Sequence, residues 1–260
     1  MENALDMEIA GRIQQKLDEL ERQEGIRILH CIESGSRAWG FASPDSDYDV
    51  RFIYARPEEY YLRLGKTCDH IDYELNDVYD INGWDIQKTL RLLHKSNPTL
   101  FEWNNSPVVY RTTAEWQRVS SITSDYFQSP AGIYHYLSMA RSNYREYLKG
   151  DEVRLKKYFY VIRPILACLW IMHRNSPPPM LFSQLKEAEL EKPLVPVVDE
   201  LLQKKMAAPE LGTGRRIGVL NEYIERQLNE LEERAAKMEK SLAPGWEELD
   251  KIFTEIVKGN

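Results

Sequence analysis

Two short stretches hold residue types suited to phosphate chemistry. Ser34-Gly35-Ser36-Arg37 follows an apolar run, and Asp47-Tyr48-Asp49-Val50 opens the next one. Glycine lets the backbone approach an anion that a Cβ would hold off, and Ser36 offers a hydroxyl and an N–H. Acids at i and i+2 of a strand point to one face, where their oxygens suit hard divalent cations such as Mg2+ or Mn2+. Moving a nucleoside monophosphate from a nucleoside triphosphate to a hydroxyl needs little covalent help. It needs a positioned triphosphate, a neutralised α-phosphate and an activated acceptor. Two metal ions about 3.5–4 Å apart meet most of that need. The residues therefore point to metal-dependent nucleotidyl transfer, with Asp47 and Asp49 as metal ligands.

Such a site calls for a further carboxylate from a neighbouring strand. Asp80 is the expected third catalytic and metal-binding acid, because Val78 to Asn82 has strand character and leads directly into a helix. Glu74, Asp72 and Asp85 compete with it. Asp85 also suits a helix N-cap, and the other two suit solvent-facing strand positions. Gly35, Ser36 and Arg37 are the expected phosphate contacts, with Arg37 alternatively tied to a carboxylate of the fold. Taken singly, Gly-Ser is a common turn and Asp-x-Asp is usually solvated. Their order and placement on consecutive strands carry the joint reading.

The elements that must position these groups follow from periodicity. Residues 7–24 read as a helix with Ile9, Ile13, Leu17 and Leu20 on one face, ended by Gly25. Strands are expected at 26–33, 48–54, 69–75 and 78–82, the last two forming a hairpin about Asn76-Asp77. A helix through His94 follows. Beyond Thr113 the strand signals fade into helices near 114–127, 130–149, 153–174, 179–190, 195–207, 216–240 and 246–258. The expected class is α+β: a small mixed sheet with flanking helices over 1–110, then an all-helical region over 111–260.

The 260 residues are 43% hydrophobic and 29% charged, enough for one large core or two small ones. A net charge of −7 excludes nucleic-acid coating by bulk positive charge. The charge is uneven, however. Between Leu137 and Arg174 eight Lys or Arg face three acids, making that segment +5 and the remainder −12. No apolar run spans a bilayer, and residues 1–20 lack the pattern of a secretory signal. Cys31, Cys68 and Cys168, odd in number and without a CxxC, are expected to be buried, reduced thiols of a cytoplasmic protein. His30, His70, His94, His135 and His173 show no metal spacing.

The motifs together resemble the DNA polymerase β-like nucleotidyltransferase superfamily, with Gly35-Ser36, the Asp47/Asp49 pair and Asp80 in its signature positions. A closer likeness is to a bacterial and phage group of nucleotidyltransferases named for its association with RNA-repair ligases. It is carried by Gly35 to Gly40, Ser46 to Arg51, Asn82 to Lys88, Lys95 to Pro98 and Lys156 to Pro164. The resemblance implies a magnesium-dependent nucleotidyltransferase fold with a helical C-terminal region, a nucleoside triphosphate as donor and an RNA end among the acceptors. A silent nucleotide- or RNA-binding module on the same scaffold is the alternative.

In the basic segment, Lys156, Tyr160 and Arg163 fall on one helix face with Lys157 adjacent. Lys157, Tyr160 and Arg163 are expected nucleotide contacts, cations for phosphate and a ring for the base. The competing reading buries Tyr160 and lets the cations snorkel to water. Lys88 is expected to reach phosphate or pair with Asp85. Gly212-Thr213-Gly214-Arg215-Arg216 reads as an inter-helix linker before an anion loop, and 217–240 as a helix with a solvated, mixed-charge face.

Overall fold

The computed structural model describes residues 7–207, 212–239 and 243–259. In chain order the elements begin with α1 (Met7–Glu24), β1 (Arg27–Glu33), α2 (Gly35–Ala38), β2 (Tyr48–Ala55), α3 (Glu58–Tyr61), β3 (His70–Leu75) and β4 (Tyr79–Asp85). Then come α4 (Ile86–His94), α5 (Pro98–Asn104), β5 (Val109–Thr112), α6 (Ala114–Ile122) and α7 (Ser129–Tyr147). The rest are β6 (Glu152–Arg154), α8 (Lys157–Arg174), α9 (Phe182–Glu189), α10 (Val195–Ala207), β7 (Thr213–Arg215), α11 (Gly218–Ala235) and α12 (Glu247–Lys258). The class is α+β, as the alternation pattern predicts. Among the described residues no helix is long and apolar enough to cross a membrane.

The chain divides into two units, Met1–Ala38 with Asp47–Tyr126 and Ala243–Asn260, and Trp39–Ser46 with Phe127–Leu242. The first is built on a mixed five-stranded sheet in the order β3-β4-β2-β1-β5. β1 is buried at six of its seven positions, as its near-continuous apolar run demands. It pairs antiparallel with β2 and β5, β2 runs parallel to β4, and β3 closes the other edge antiparallel to β4. The expected hairpin is present: Asn76 Oδ1 accepts from the N–H groups of Val78 and Tyr79, both at 2.8 Å. Ile13, Leu17 and Leu20 of α1 pack with Ile28, Val50, Phe52 and Ile81. Asp85 caps α4 by accepting from Gln87 N–H at 2.8 Å, and Asn97 caps α5 with Pro98 at its first turn.

β5 departs from the expected helical content after residue 110. Its four residues, VYRT, are too short and too polar to stand out, and Arg111 is held by Gln14, Asp18 and Glu21 of α1. The cut at 110 also differs from the observed division. α6 packs on β1, and α12 packs on α4 and α6, so both belong with the sheet. Arg27 reaches Glu115 at 2.6 Å and the Ile256 carbonyl at 2.6 Å, and His94 stacks on Trp246 at 3.7 Å.

In the second unit α8 is the central helix, buried almost all round from Tyr158 to Ile171. α7, α9 and α11 surround it; α11 buries Leu220, Ile224, Leu228 and Leu231 and keeps Glu222, Glu225, Arg226, Glu230 and Glu233 on the exposed, mixed-charge face expected for 217–240. Residue 240 lies outside the described residues. Gly212 to Arg216 is neither linker nor anion loop: 213–215 is β7, paired antiparallel with β6 as Val153↔Gly214. At Gly214 a Cβ would stand 3.1 Å from Leu155 Cδ1, so the glycine serves a close approach. Cys31 and Cys168 are buried, whereas Cys68 is exposed beside His70 and not in a core.

Candidate functional site

The site residues of the first unit gather where β1, β2 and β4 present neighbouring ends. β1 finishes at Glu33, and the chain bends at Ser34, whose N–H donates to the Asp49 carbonyl at 2.8 Å. Gly35 opens the short α2 with φ +57°. A Cβ there would stand 1.8 Å from Asp49 Oδ2, so the carboxylate lies directly against the glycine backbone. The Gly35 bend and Asp49 thus meet in one place.

β2 brings its acids in by the two-residue period. Asp47 is exposed and immediately precedes the strand, and Asp49 is half-buried within it. The parallel register with β4 sets Asp49 opposite Asp80 and Arg51 opposite Asn82. Of the four candidate third acids, Asp80 is therefore the one level with Asp49. Asp85 is the buried helix cap, accepting also from the Tyr61 hydroxyl at 2.9 Å. Glu74 pairs with Lys16 at 2.6 Å, and Asp72 is 80% exposed.

Three residues that the sequence reading did not single out, Arg51, Asn82 and Glu33, complete the cluster. Arg51 Nη2 donates to Asp49 Oδ1 at 2.9 Å and to Asp80 Oδ2 at 2.7 Å. Its Nη1 donates to the carbonyls of Asp80 at 2.6 Å and Val50 at 3.1 Å. Asn82 Nδ2 donates to the other Asp80 oxygen at 3.1 Å. Glu33, 1% exposed, lies beneath: its carboxylate accepts from Asp49 N–H at 2.9 Å and from the Tyr110 hydroxyl at 2.6 Å.

Burial dominates the electrostatics. It pushes the Glu33 carboxyl up to about 7, against the pull of the Tyr110 hydroxyl and the Asp49 N–H. It pushes Asp49 up to about 6; Arg51 opposes that rise, and the Asp47 and Asp80 charges add to it. Arg37 is tied to the fold: Nε donates to the Asp47 carbonyl at 3.0 Å, and the guanidinium lies over the Tyr48 ring at 3.8 Å. Lys88 pairs with Asp69 at 3.3 Å, not with Asp85.

By donor chemistry Asp47, Asp49 and Asp80 suit a hard divalent cation. As they stand, no three His, Cys, Asp or Glu among the described residues are grouped to hold a metal ion. Asp49 and Asp80 share the Arg51 guanidinium instead.

The remaining expected contacts belong to the second unit. The Lys157 ammonium stands 4.0 Å from the Tyr147 ring centroid and 4.7 Å from that of Tyr160. Partial burial lowers its pKa, with Lys156 and Arg154 adding to the effect. Arg163 is 2% exposed, with its guanidinium 4.6 Å from the Trp39 ring centroid. Its position is one of core packing, because it sits mid-way along the helix that is buried almost all round.

The family model described as "RlaP: RNA repair pathway DNA polymerase beta family" matches residues 9–255. A Bacillus subtilis (strain 168) protein described as "Uncharacterized protein YcgL" is 42% identical over 251 residues, 95% of this chain and 96% of that one. A crystal structure of a nucleotidyltransferase-like protein from Exiguobacterium sibiricum 255-15 is similar at 12% identity and a TM-score of 0.31, over 95% of this chain and 80% of that one.

Proposed function

This chain belongs to the RNA repair pathway DNA polymerase beta family, and from that premise we propose that it is a metal-dependent nucleotidyltransferase. It would move a nucleoside monophosphate from a nucleoside triphosphate to an acceptor hydroxyl, with an RNA end as the acceptor that the family description favours. One observation carries the reading: Asp49 and Asp80 stand in register on adjacent parallel strands, with Asp49 against the backbone of Gly35.

Asp47, Asp49 and Asp80 would hold the magnesium or manganese ions. Bound there, the ions supply charge neutralisation at the phosphates and activation of the attacking hydroxyl. The backbone at Gly35 and Ser36 offers N–H donors to phosphate oxygens. Glu33 steadies the Asp49 main chain. Arg37 fixes the approach to β2 through the Asp47 carbonyl, and Lys88 remains a candidate phosphate contact. Lys157 and Tyr160 are proposed to bind phosphate and base, with Arg163 serving by holding Trp39.

The test is magnesium-dependent pyrophosphate release from each triphosphate with a panel of RNA ends. Wild type should turn over, and Asp49→Asn or Asp80→Asn should lose about 10³-fold or more, the scale of several kcal/mol of transition-state stabilisation. Equal rates in wild type and Asp49→Asn would refute the proposal. The Arg51 bridge across two carboxylates favours a second reading, a nucleotide- or RNA-binding scaffold without turnover. Thermal stabilisation by a triphosphate that needs neither magnesium nor Asp47 would support that one.

A further inference from the structure

We propose that Arg51 is the resident counter-ion of the Asp49–Asp80 pair and competes with a divalent cation for their oxygens, so that its withdrawal sets cation affinity. This rests on the reading of those aspartates as cation ligands. The carboxylate oxygens are already engaged. Asp49 Oδ1 and Asp80 Oδ2 accept from the same Arg51 nitrogen, at 2.9 and 2.7 Å. Asp80 Oδ1 accepts from Asn82 at 3.1 Å, and Asp49 Oδ2 is walled by the Gly35 backbone.

A cation binding these carboxylates directly needs the lone pairs that the guanidinium uses, and it cannot share the space between them with another positive charge. Arg51 is also held independently of the acids, through the Asp80 and Val50 carbonyls. Its side chain is 15% exposed, so moving it aside breaks four hydrogen bonds in a poorly hydrated place. The arginine therefore does two opposed things. It neutralises the acids and keeps the strand ends together without metal, and it raises the cation concentration needed to fill the site. Lysine at 51 would keep the charge but lose the planar fork that serves both carboxylates and both carbonyls.

The experiment titrates Mn2+ into the nucleotide-free full chain and reads free Mn2+ by electron paramagnetic resonance. Wild type is compared with Arg51→Met, Arg51→Lys, Asp49→Asn and the Arg51→Met/Asp49→Asn double variant. Removing the guanidinium should tighten Mn2+ binding about ten-fold or more. Arg51→Lys should fall between, and the double variant should lose the gain. In parallel, Arg51→Met should melt below wild type without metal and recover the larger shift on adding Mn2+. Equal Mn2+ affinity in wild type and Arg51→Met, with both weakened by Asp49→Asn, would overturn the counter-ion role while leaving the aspartates as ligands. Mn2+ binding indifferent to Asp49→Asn would overturn both. Should Arg51→Met not fold, Arg51→Lys decides: affinity no tighter than wild type overturns the proposal.

Discussion

Replacing Gly35 by alanine separates backbone cost from damage to the site. Gly35 has φ +57°, and a Cβ on it would lie 1.8 Å from Asp49 Oδ2 and 2.7 Å from Asp49 Cγ. A left-handed residue with a Cβ costs about 1–2 kcal/mol, and reduced freedom of the unfolded chain offsets about 0.4–1 kcal/mol of that. Gly25, φ +61° at the end of α1, has nothing within 4 Å of its Cβ position. Gly25→Ala therefore measures the backbone share alone, about 1 kcal/mol. Gly35→Ala adds the displacement of a half-buried carboxylate bonded to Arg51, about 1–3 kcal/mol more. Urea unfolding at constant slope should thus place Gly35→Ala about 2–4 kcal/mol below wild type. Pyrophosphate release should stay at the wild-type rate in Gly25→Ala and drop to the Asp49→Asn level in Gly35→Ala. Equal stability losses in the two variants, with release intact in Gly35→Ala, would refute the close approach on which the site reading stands.

Other outcomes are expected on the same footing. His30 stacks on Trp116 at 4.9 Å, and burial pushes its pKa down to about 4, which keeps it neutral. The unfolded chain therefore takes the proton first, and this contribution is present above pH 6.5 and lost as pH falls toward 4, about 3 kcal/mol in all. The stability gap between wild type and His30→Phe should narrow or invert by that amount across the window; a gap independent of pH would refute it. Asp85→Ala should cost about 2 kcal/mol, since it removes the α4 cap and leaves the Tyr61 hydroxyl without its partner. Asp85→Ala should also keep pyrophosphate release well below its melting temperature, unlike Asp80→Asn. A thermal shift under 1 °C, or loss of release, would contradict the cap assignment.

The strands that carry the candidate site were legible because strands obey a period of two. That period put Asp47 and Asp49 on one face, and strand character at Val78–Asn82 singled out Asp80. Carried one step further the same period reaches Arg51, on the same face as Asp49, so the spacing already sets the guanidinium beside that carboxylate. Glu33 had no such signal: it ends an apolar run, and its partners, Tyr110 and the Asp49 N–H, come from other strands. β5 was hidden by length and polarity. The division between units was hidden for another reason. The amphipathic faces of α6 and α12 announce that each packs on something, but only the folded chain shows that it is β1, α4 and each other.

That last packing bears on how the protein is made. The five strands of the larger sheet are synthesised by Thr112, yet α12, which covers α4 and α6, comes last among the described helices. At about 5–20 residues per second, roughly 130 residues of elongation leave the apolar face of α4 and α6 uncovered for several seconds to half a minute. A nascent sheet unit must wait for its closing piece, and a chain without α12 loses cover from the sheet unit.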